Sequence, residues 1–125
     1  YRKRTRNQMN RLSPILDNLN ETQDPDDLML MIIEALEDIE WVPSEVGAMY
    51  TFIYAAKTPD MLYDEFPLVQ ITEITPWGFK GFNYHWNLMR NYTFPEVAGA
   101  MYRITSEELT TLRGIPYQKF RKTPK

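Results

Sequence analysis

An α+β fold is the expectation for this 125-residue chain, with helices first, then a small antiparallel sheet, then a short helix. Three observations carry it. Between Met9 and Ile39 the apolar residues recur at spacings of three and four, the period of one helix face. From Gly47 to Trp86, in GAMYTFIYAAKTPDMLYDEFPLVQITEITPWGFKGFNYHW, they alternate within extended runs separated by Pro-marked turns. Beyond Ile104, Thr105 and Glu108 stand at capping-box spacing just before Leu109 and Leu112. The length suits one domain with a modest core, and 43% hydrophobic with 25% charged residues is the composition of a folded protein.

The first helix carries Met9, Leu12, Leu16 and Leu19 on one stripe with Ile15 beside it, but Pro14 interrupts that pattern. Ser13-Pro14 suits an N-cap followed by N1, so the helix is expected over about Pro14 to Asn20. The second helix is better marked. Asp24-Pro25-Asp26-Asp27 supplies a cap, an N1 proline and acids for the positive helix end, and Met29, Ile32, Leu36 and Ile39 repeat the stripe. Leu28, Met31, Ile33 and Ala35 widen its apolar face. Such a face either packs on the sheet and on the first helix, or leaves a part for another polypeptide.

The first strand is expected over Ala48 to Ala55, with Met49, Thr51 and Ile53 on one face and Tyr50, Phe52 and Tyr54 on the other. Both faces are apolar, as in a small closed or strongly bent sheet. A turn at Lys57-Thr58-Pro59-Asp60 leads to a second run, Leu68 to Ile74, which Thr75-Pro76 ends. The third run, Gly78 to Trp86, places Phe79, Gly81, Asn83 and His85 opposite Lys80, Phe82, Tyr84 and Trp86, and Gly81 points to a bulge or a close backbone approach. Phe94 to Gly99 reads as a turn or one helical turn, Ala100 to Ile104 as a further strand, and Gly114 with Pro116 as the stop of the last helix. The expected organisation is a basic arm over 1–13, a helical segment over 14–46, an SH3-like antiparallel β-barrel with a short helix over 47–116, and a basic tail over 117–125.

A formal charge of −3 conceals segregation. Residues 1 to 11 hold Arg2, Lys3, Arg4, Arg6 and Arg11 without an acid, residues 12 to 48 hold ten acids without Lys or Arg, and Lys119, Arg121, Lys122 and Lys125 close the chain. Basic ends of this kind suit nucleic-acid phosphates, an acidic groove on a neighbouring protein, or water alone. With no cysteine there is no disulfide, thiolate nucleophile or Cys-based zinc site. The run Leu28 to Ile33 is too short to span a bilayer and the amino end has no signal-like segment, so no membrane partner is expected.

The only histidine, His85, stands close to Lys80, Asn83, Tyr84 and Trp86. A lone histidine there suits a general base or a phosphate contact, but strand alternation separates Lys80 from Asn83 and His85, and an imidazole between two aromatics also suits a hydrogen-bonded position inside an aromatic cluster. One histidine and scattered carboxylates give no metal-ligand spacing, and no cofactor fingerprint is present. Asp26-Asp27 reads as helix capping and Asp64-Glu65 as an exposed loop. No catalytic, cofactor or metal residue is assigned. Lys80, Asn83, His85, Trp86, Arg2, Lys3, Arg4, Arg6, Lys119, Arg121 and Lys122 form the candidate contact surface.

The segments MYTFIYAAKTPD, YDEFPLVQITEI, WGFKGFNYHW and RGIPYQKF resemble small proteins encoded by T4-like tailed bacteriophages, especially those of marine cyanobacteria. The resemblance covers about Met49 to Phe120 and rests on Tyr63, Asp64, Phe66, Pro67, Gly78, Phe79, Gly81, Asn83, His85 and Trp86. It implies a virion or virion-assembly context, with no established active site. The expectation is therefore a non-enzymatic virion structural or assembly protein, in the particle or in the host cytoplasm during assembly. It would bind other virion proteins, or further copies of itself, through its helical face and basic ends. A nucleic-acid protein is the alternative, either a binder of phage DNA ends or a nuclease with a MazF-like barrel, and an enzyme built round His85 is the third reading.

Overall fold

The computed structural model describes residues 11–17, 19 and 24–123. In chain order the elements are helices α1 (Ser13–Asp17) and α2 (Pro25–Leu36), strands β1 (Ile39–Glu40), β2 (Met49–Tyr54), β3 (Leu62–Asp64), β4 (Leu68–Ile74), β5 (Gly78–Asn83) and β6 (Leu88–Thr93), a 3₁₀ turn (Phe94–Glu96), strand β7 (Val97–Ile104), helix α3 (Ser106–Gly114) and strand β8 (Phe120–Lys122). The chain is α+β, with a six-stranded sheet in the order β1-β7-β2-β4-β5-β6 and a separate ladder of β3 with β8.

Local chemistry sets the helices. The Asp24 carboxylate accepts the Asp26 N–H at 2.9 Å, Pro25 occupies the first turn, and α2 ends where Glu37 enters the left-handed region at φ 61°. Thr105 and Glu108 close a full capping box on α3. Of the helix expected over Pro14 to Asn20, α1 covers Ser13–Asp17 and Leu19 lies in a 3₁₀ turn; Met9, Asn18 and Asn20 fall outside the described residues. The wide apolar face of α2 is used within the chain: Leu28, Met29, Ile32 and Leu36 are buried with Leu12 and Ile15 near α1, Leu112 and Ile115 around α3, and Phe66, Leu68 and Ile104 from the sheet. Met31, Ile33 and Ala35 pack on the same cluster, leaving Leu30 exposed.

The sheet curls without closing. Every pairing in it is antiparallel, and β1 and β6 are its two edges, which corrects the expected closed barrel. The curl is measurable across its concave side, where Tyr54 of β2 and Tyr92 of β6 bring their ring centroids within 5.0 Å although β4 and β5 lie between them. Three strand spacings in a flat sheet would hold them about 14 Å apart. Tyr50, Phe52 and Tyr54 fill this concavity with Val69, Ile71, Phe79, Tyr92 and Met101. Phe52 meets Phe79 and Tyr92 edge-on, and each such pair adds about 0.5–1.5 kcal/mol beyond its burial. Met49 and Ile53, on the other face of β2, pack toward the helices, as the two-sided pattern of that strand requires.

Glycines permit the tightest approaches. A Cβ on Gly81 would lie 2.2 Å from Val69 Cγ1 and 2.9 Å from Gln70 O, and the register of β4 shifts between Ile71 and Glu73, directly opposite. The expected close approach is at Gly81, while the bulge is on the facing strand. A Cβ on Gly78 would be 1.9 Å from Tyr92 O.

Several boundaries differ from the sequence reading. The run expected to extend to Trp86 ends at Asn83, residues 84–87 turn, and β6 returns beside β5. The 3₁₀ turn stands where one helical turn was expected, and β7 begins at Val97, three residues before Ala100. The tail expected over 117–125 is part of the fold: Tyr117 is fully buried and Phe120–Lys122 pairs with β3. The expected arm over 1–13 likewise ends too late, because Arg11 and Leu12 belong to the folded body.

Arg11 is a clamp between three elements. Its Nε and backbone N–H each donate to Glu108 Oε2 at 2.9 Å and its Nη2 donates to Glu108 Oε1 at 3.0 Å. Nη1 donates to Asp38 and to Leu36 O, an end carbonyl of α2 that no helix N–H can reach, and Nη2 to Arg103 O in β7. Glu108 is fully buried. Burial pushes its carboxyl up, but the hydrogen bonds from Arg11 and Thr105 and the Arg11 charge outweigh that and hold it below its ordinary value of 4.5.

A depressed folded-state pKa stabilises the fold above the unfolded value, and that contribution is lost as pH falls through the folded one. Chemical denaturation should therefore show stability falling below about pH 4.5, with a shallower fall in Glu108→Gln. At pH 7, Glu108→Ala should cost about 3 kcal/mol, since it strips a buried pair of one partner. Gly78→Ala should lower the melting temperature far more than Gly114→Ala, where an added Cβ meets nothing within 4 Å.

Candidate functional site

Three separated stretches of sequence meet at the Asp64 carboxylate. Asp64 ends β3, and its Oδ1 accepts the Phe66 N–H at 3.0 Å, turning the chain toward β4, and the Lys119 N–H at 3.4 Å, holding the approach to β8. Oδ2 is hydrogen-bonded to His85 Nδ1. Both side chains are 1% exposed, so the expected exposed loop at Asp64-Glu65 is corrected: Asp64 is interior. A carboxylate only accepts, so in this bond His85 Nδ1–H is the donor. Nε2 is enclosed and has no hydrogen-bond partner among the described residues.

His85 reaches this position because Asn83 stops the strand. Asn83 Oδ1 accepts the N–H groups of His85 at 2.8 Å and Trp86 at 3.1 Å, an Asx turn that replaces strand alternation, and its Nδ2 donates to Tyr92 OH at 2.9 Å. The Tyr117 ring lies edge-on to the imidazole at 5.1 Å. Its hydroxyl shares a 3.1 Å hydrogen bond with Thr51 Oγ1, which donates to Pro67 O at 2.9 Å. Burial, helped by the Asp64 charge, pushes the Tyr117 hydroxyl well above its ordinary range, so it stays neutral. The three motifs YDEFP, GFNYHW and IPY thus supply one connected polar interior.

Outside this interior lies an open apolar pocket of about 410 Å³ lined by Leu62, His85, Trp86 and Phe120. Trp86 meets Phe120 at 5.3 Å, and the Arg90 guanidinium sits 4.6 Å over the indole while donating to Leu62 O at 3.2 Å. Leu62 and Phe120 are half exposed, and the Trp86 Nε1–H is buried without a partner among the described residues. This lining suits an apolar or aromatic side chain, and Arg90 and Lys122 near its rim favour negative charge around it.

The other expected contact residues do not gather here. Lys80 projects beside Glu73 at 3.8 Å on the exposed side of the sheet. Lys119 pairs with Asp26 at 2.8 Å and Arg121 with Glu65 at 3.1 Å. Arg2, Lys3, Arg4 and Arg6 fall outside the described residues. Of the expected set, the structure brings together Asn83, His85 and Trp86, with Lys122 at the β8 edge. Sequence reasoning missed Asp64, Tyr117 and the pocket residues Leu62, Phe120 and Arg90. The signal available for Asp64 was its position two residues before Phe66-Pro67, the spacing at which an Asp accepts a backbone N–H to make a turn.

Among the described residues, no group of three or more His, Cys, Asp or Glu is placed to hold a metal ion, and no helix is long and apolar enough to cross a membrane. Comparison with protein-family models, with curated proteins and with solved structures finds no match to this chain.

A double-mutant cycle on Asp64→Ala and His85→Ala, read by urea denaturation, should give a coupling of about 1–3 kcal/mol, as groups sharing one buried hydrogen bond do. His85→Ala should lower stability while leaving the far-UV spectrum native.

Proposed function

We propose that this chain is a non-enzymatic bacteriophage virion structural or assembly protein, and that its docking surface is the Leu62–Trp86–Phe120 pocket. The phage context rests on the resemblance of the 49–120 motifs. The structural role rests on one observation: of the residues carrying that resemblance, Asp64, Phe66, Asn83 and His85 build a hydrogen-bonded interior, and Trp86 lines an open apolar pocket outside it. Exposed apolar surface beside ordered polar groups is characteristic of protein contact sites. The helical face and the carboxyl-terminal Lys119 and Arg121 are lesser contributors than the sequence suggested, because α2 spends its face on its own core and those two cations are paired within the chain, while Arg2, Lys3, Arg4 and Arg6 keep the contact role expected of them. The strand order β7-β2-β4-β5-β6, with a 3₁₀ turn leading into β7, supports reading the curled sheet as SH3-like.

A nucleic-acid role has one observation in its favour, since half-exposed Phe120 and partly buried Trp86 beside Arg90 suit stacking on bases. Mass spectrometry of purified particles, with a low-salt nucleic-acid shift assay, separates the two readings. Stoichiometric presence in particles without a shift is the expected result; absence from particles with a salt-sensitive shift would overturn it.

A further inference from the structure

We propose that the pocket of one copy receives the Trp41 loop of a second copy, joining chains head to tail. This rests on the assembly reading above and names the partner of its docking surface. Trp41 is 74% exposed on the segment that follows edge strand β1, with Ile39, Val42 and Val46 exposed around it. The loop is pinned rather than loose. Arg103 pairs with Glu45 and with Glu40, Tyr50 OH donates to Glu40 Oε1 at 2.6 Å, and the Ser44 N–H donates to the same hydroxyl at 3.3 Å. A large aromatic side chain presented on an ordered loop loses little freedom on docking.

Shape and charge point to the same match. The pocket is a wide, shallow depression, and Trp86 and Phe120 offer ring edges and faces against which an indole can lie. Around Trp41 stand Glu37, Asp38, Glu40 and Glu45, against the bases Arg11 and Arg103 that pair with three of them. The pocket rim instead carries Arg90 and Lys122, and none of its lining residues is acidic. The acidic loop therefore complements the basic rim.

The loop follows β1 at one edge of the sheet, and Trp86 lies in the turn entering β6 at the other. Such a contact is heterologous, so each copy keeps one unused loop or pocket until the series closes into a ring or continues as a filament.

Light scattering coupled to sizing of the full chain at about 100 μM, a concentration chosen because single-anchor interfaces are weak, tests this. The wild type should show a mass that rises with concentration. Trp41→Ala and Phe120→Ala should each weaken association by at least about thirtyfold, with the melting temperature of Trp41→Ala unchanged and Phe120→Ala retaining a native far-UV spectrum and a cooperative melt. Leu62→Glu, which sets an acid against the acidic loop, should do the same. Mixing the Trp41→Ala and Phe120→Ala proteins should restore one interface and stop at a dimer. A wild type that stays monomeric, a Trp41→Ala protein that associates like wild type, or a pocket that instead shifts single-stranded DNA would overturn the proposal. A monomeric protein that is nonetheless stoichiometric in particles would leave the assembly role standing and assign the pocket to a different virion protein.

Discussion

The buried carboxylate of Asp64 is the constraint around which the rest of the site is arranged. A charge that far from water is tolerated only when donors surround it, and three converge: the Phe66 and Lys119 N–H groups and the His85 imidazole. Each donor fixes a different part of the chain. Phe66 sets the turn into β4, Lys119 sets the approach of β8, and His85 fixes the turn between β5 and β6. Removing the carboxylate would release all three, which is why the motifs that meet here are better understood as one joint than as three sites.

Arg11 and Glu108 play the same part on the helical side. Their hydrogen bonds tie the end of α2, the start of α3 and β7. Part of the charge segregation of the sequence is resolved in the fold. Two of the described basic residues near the ends lie far along the chain from acids between 12 and 48 yet beside them in space, where Lys119 meets Asp26 and Arg11 meets Asp38. Exposed pairs of this sort contribute little to stability, and their main effect is to engage Arg11 and Lys119 within the chain. That shifts attention from the ends to the apolar pocket as the outward-facing feature.

Much of the fold was legible because its signals are local. The caps of α2 and α3, the two-faced pattern of β2 and the close approach at Gly81 each depend on residues a few positions apart. What was not legible depends on distant partners. β1, β3 and β8 are two or three residues long and exist through pairing with segments more than fifty residues away, which no periodicity announces. The strand reading of Gly78 to Trp86 failed at one residue, because the Asn83 side chain captures two N–H groups and turns the chain. In the site, Asn83, His85 and Trp86 stood out by residue type, whereas Asp64 read as a loop acid until Lys119, 55 residues on, and His85 enclosed it. Lys80 failed as a site member for the reason alternation gave, since it faces away.

His85 is an interior, hydrogen-bonded imidazole and the only histidine in the chain, so the absorbance of a carbethoxylated imidazole reports on it alone. Diethylpyrocarbonate modification of the native protein, followed by that absorbance and by the mass of the His85 peptide, measures whether the ring is available. No modification of His85 is expected until denaturant unfolds the protein, with the rate following the unfolded fraction. Modification of the native protein at the rate of a free imidazole, with the fold intact, would contradict this and would make His85 a reactive group.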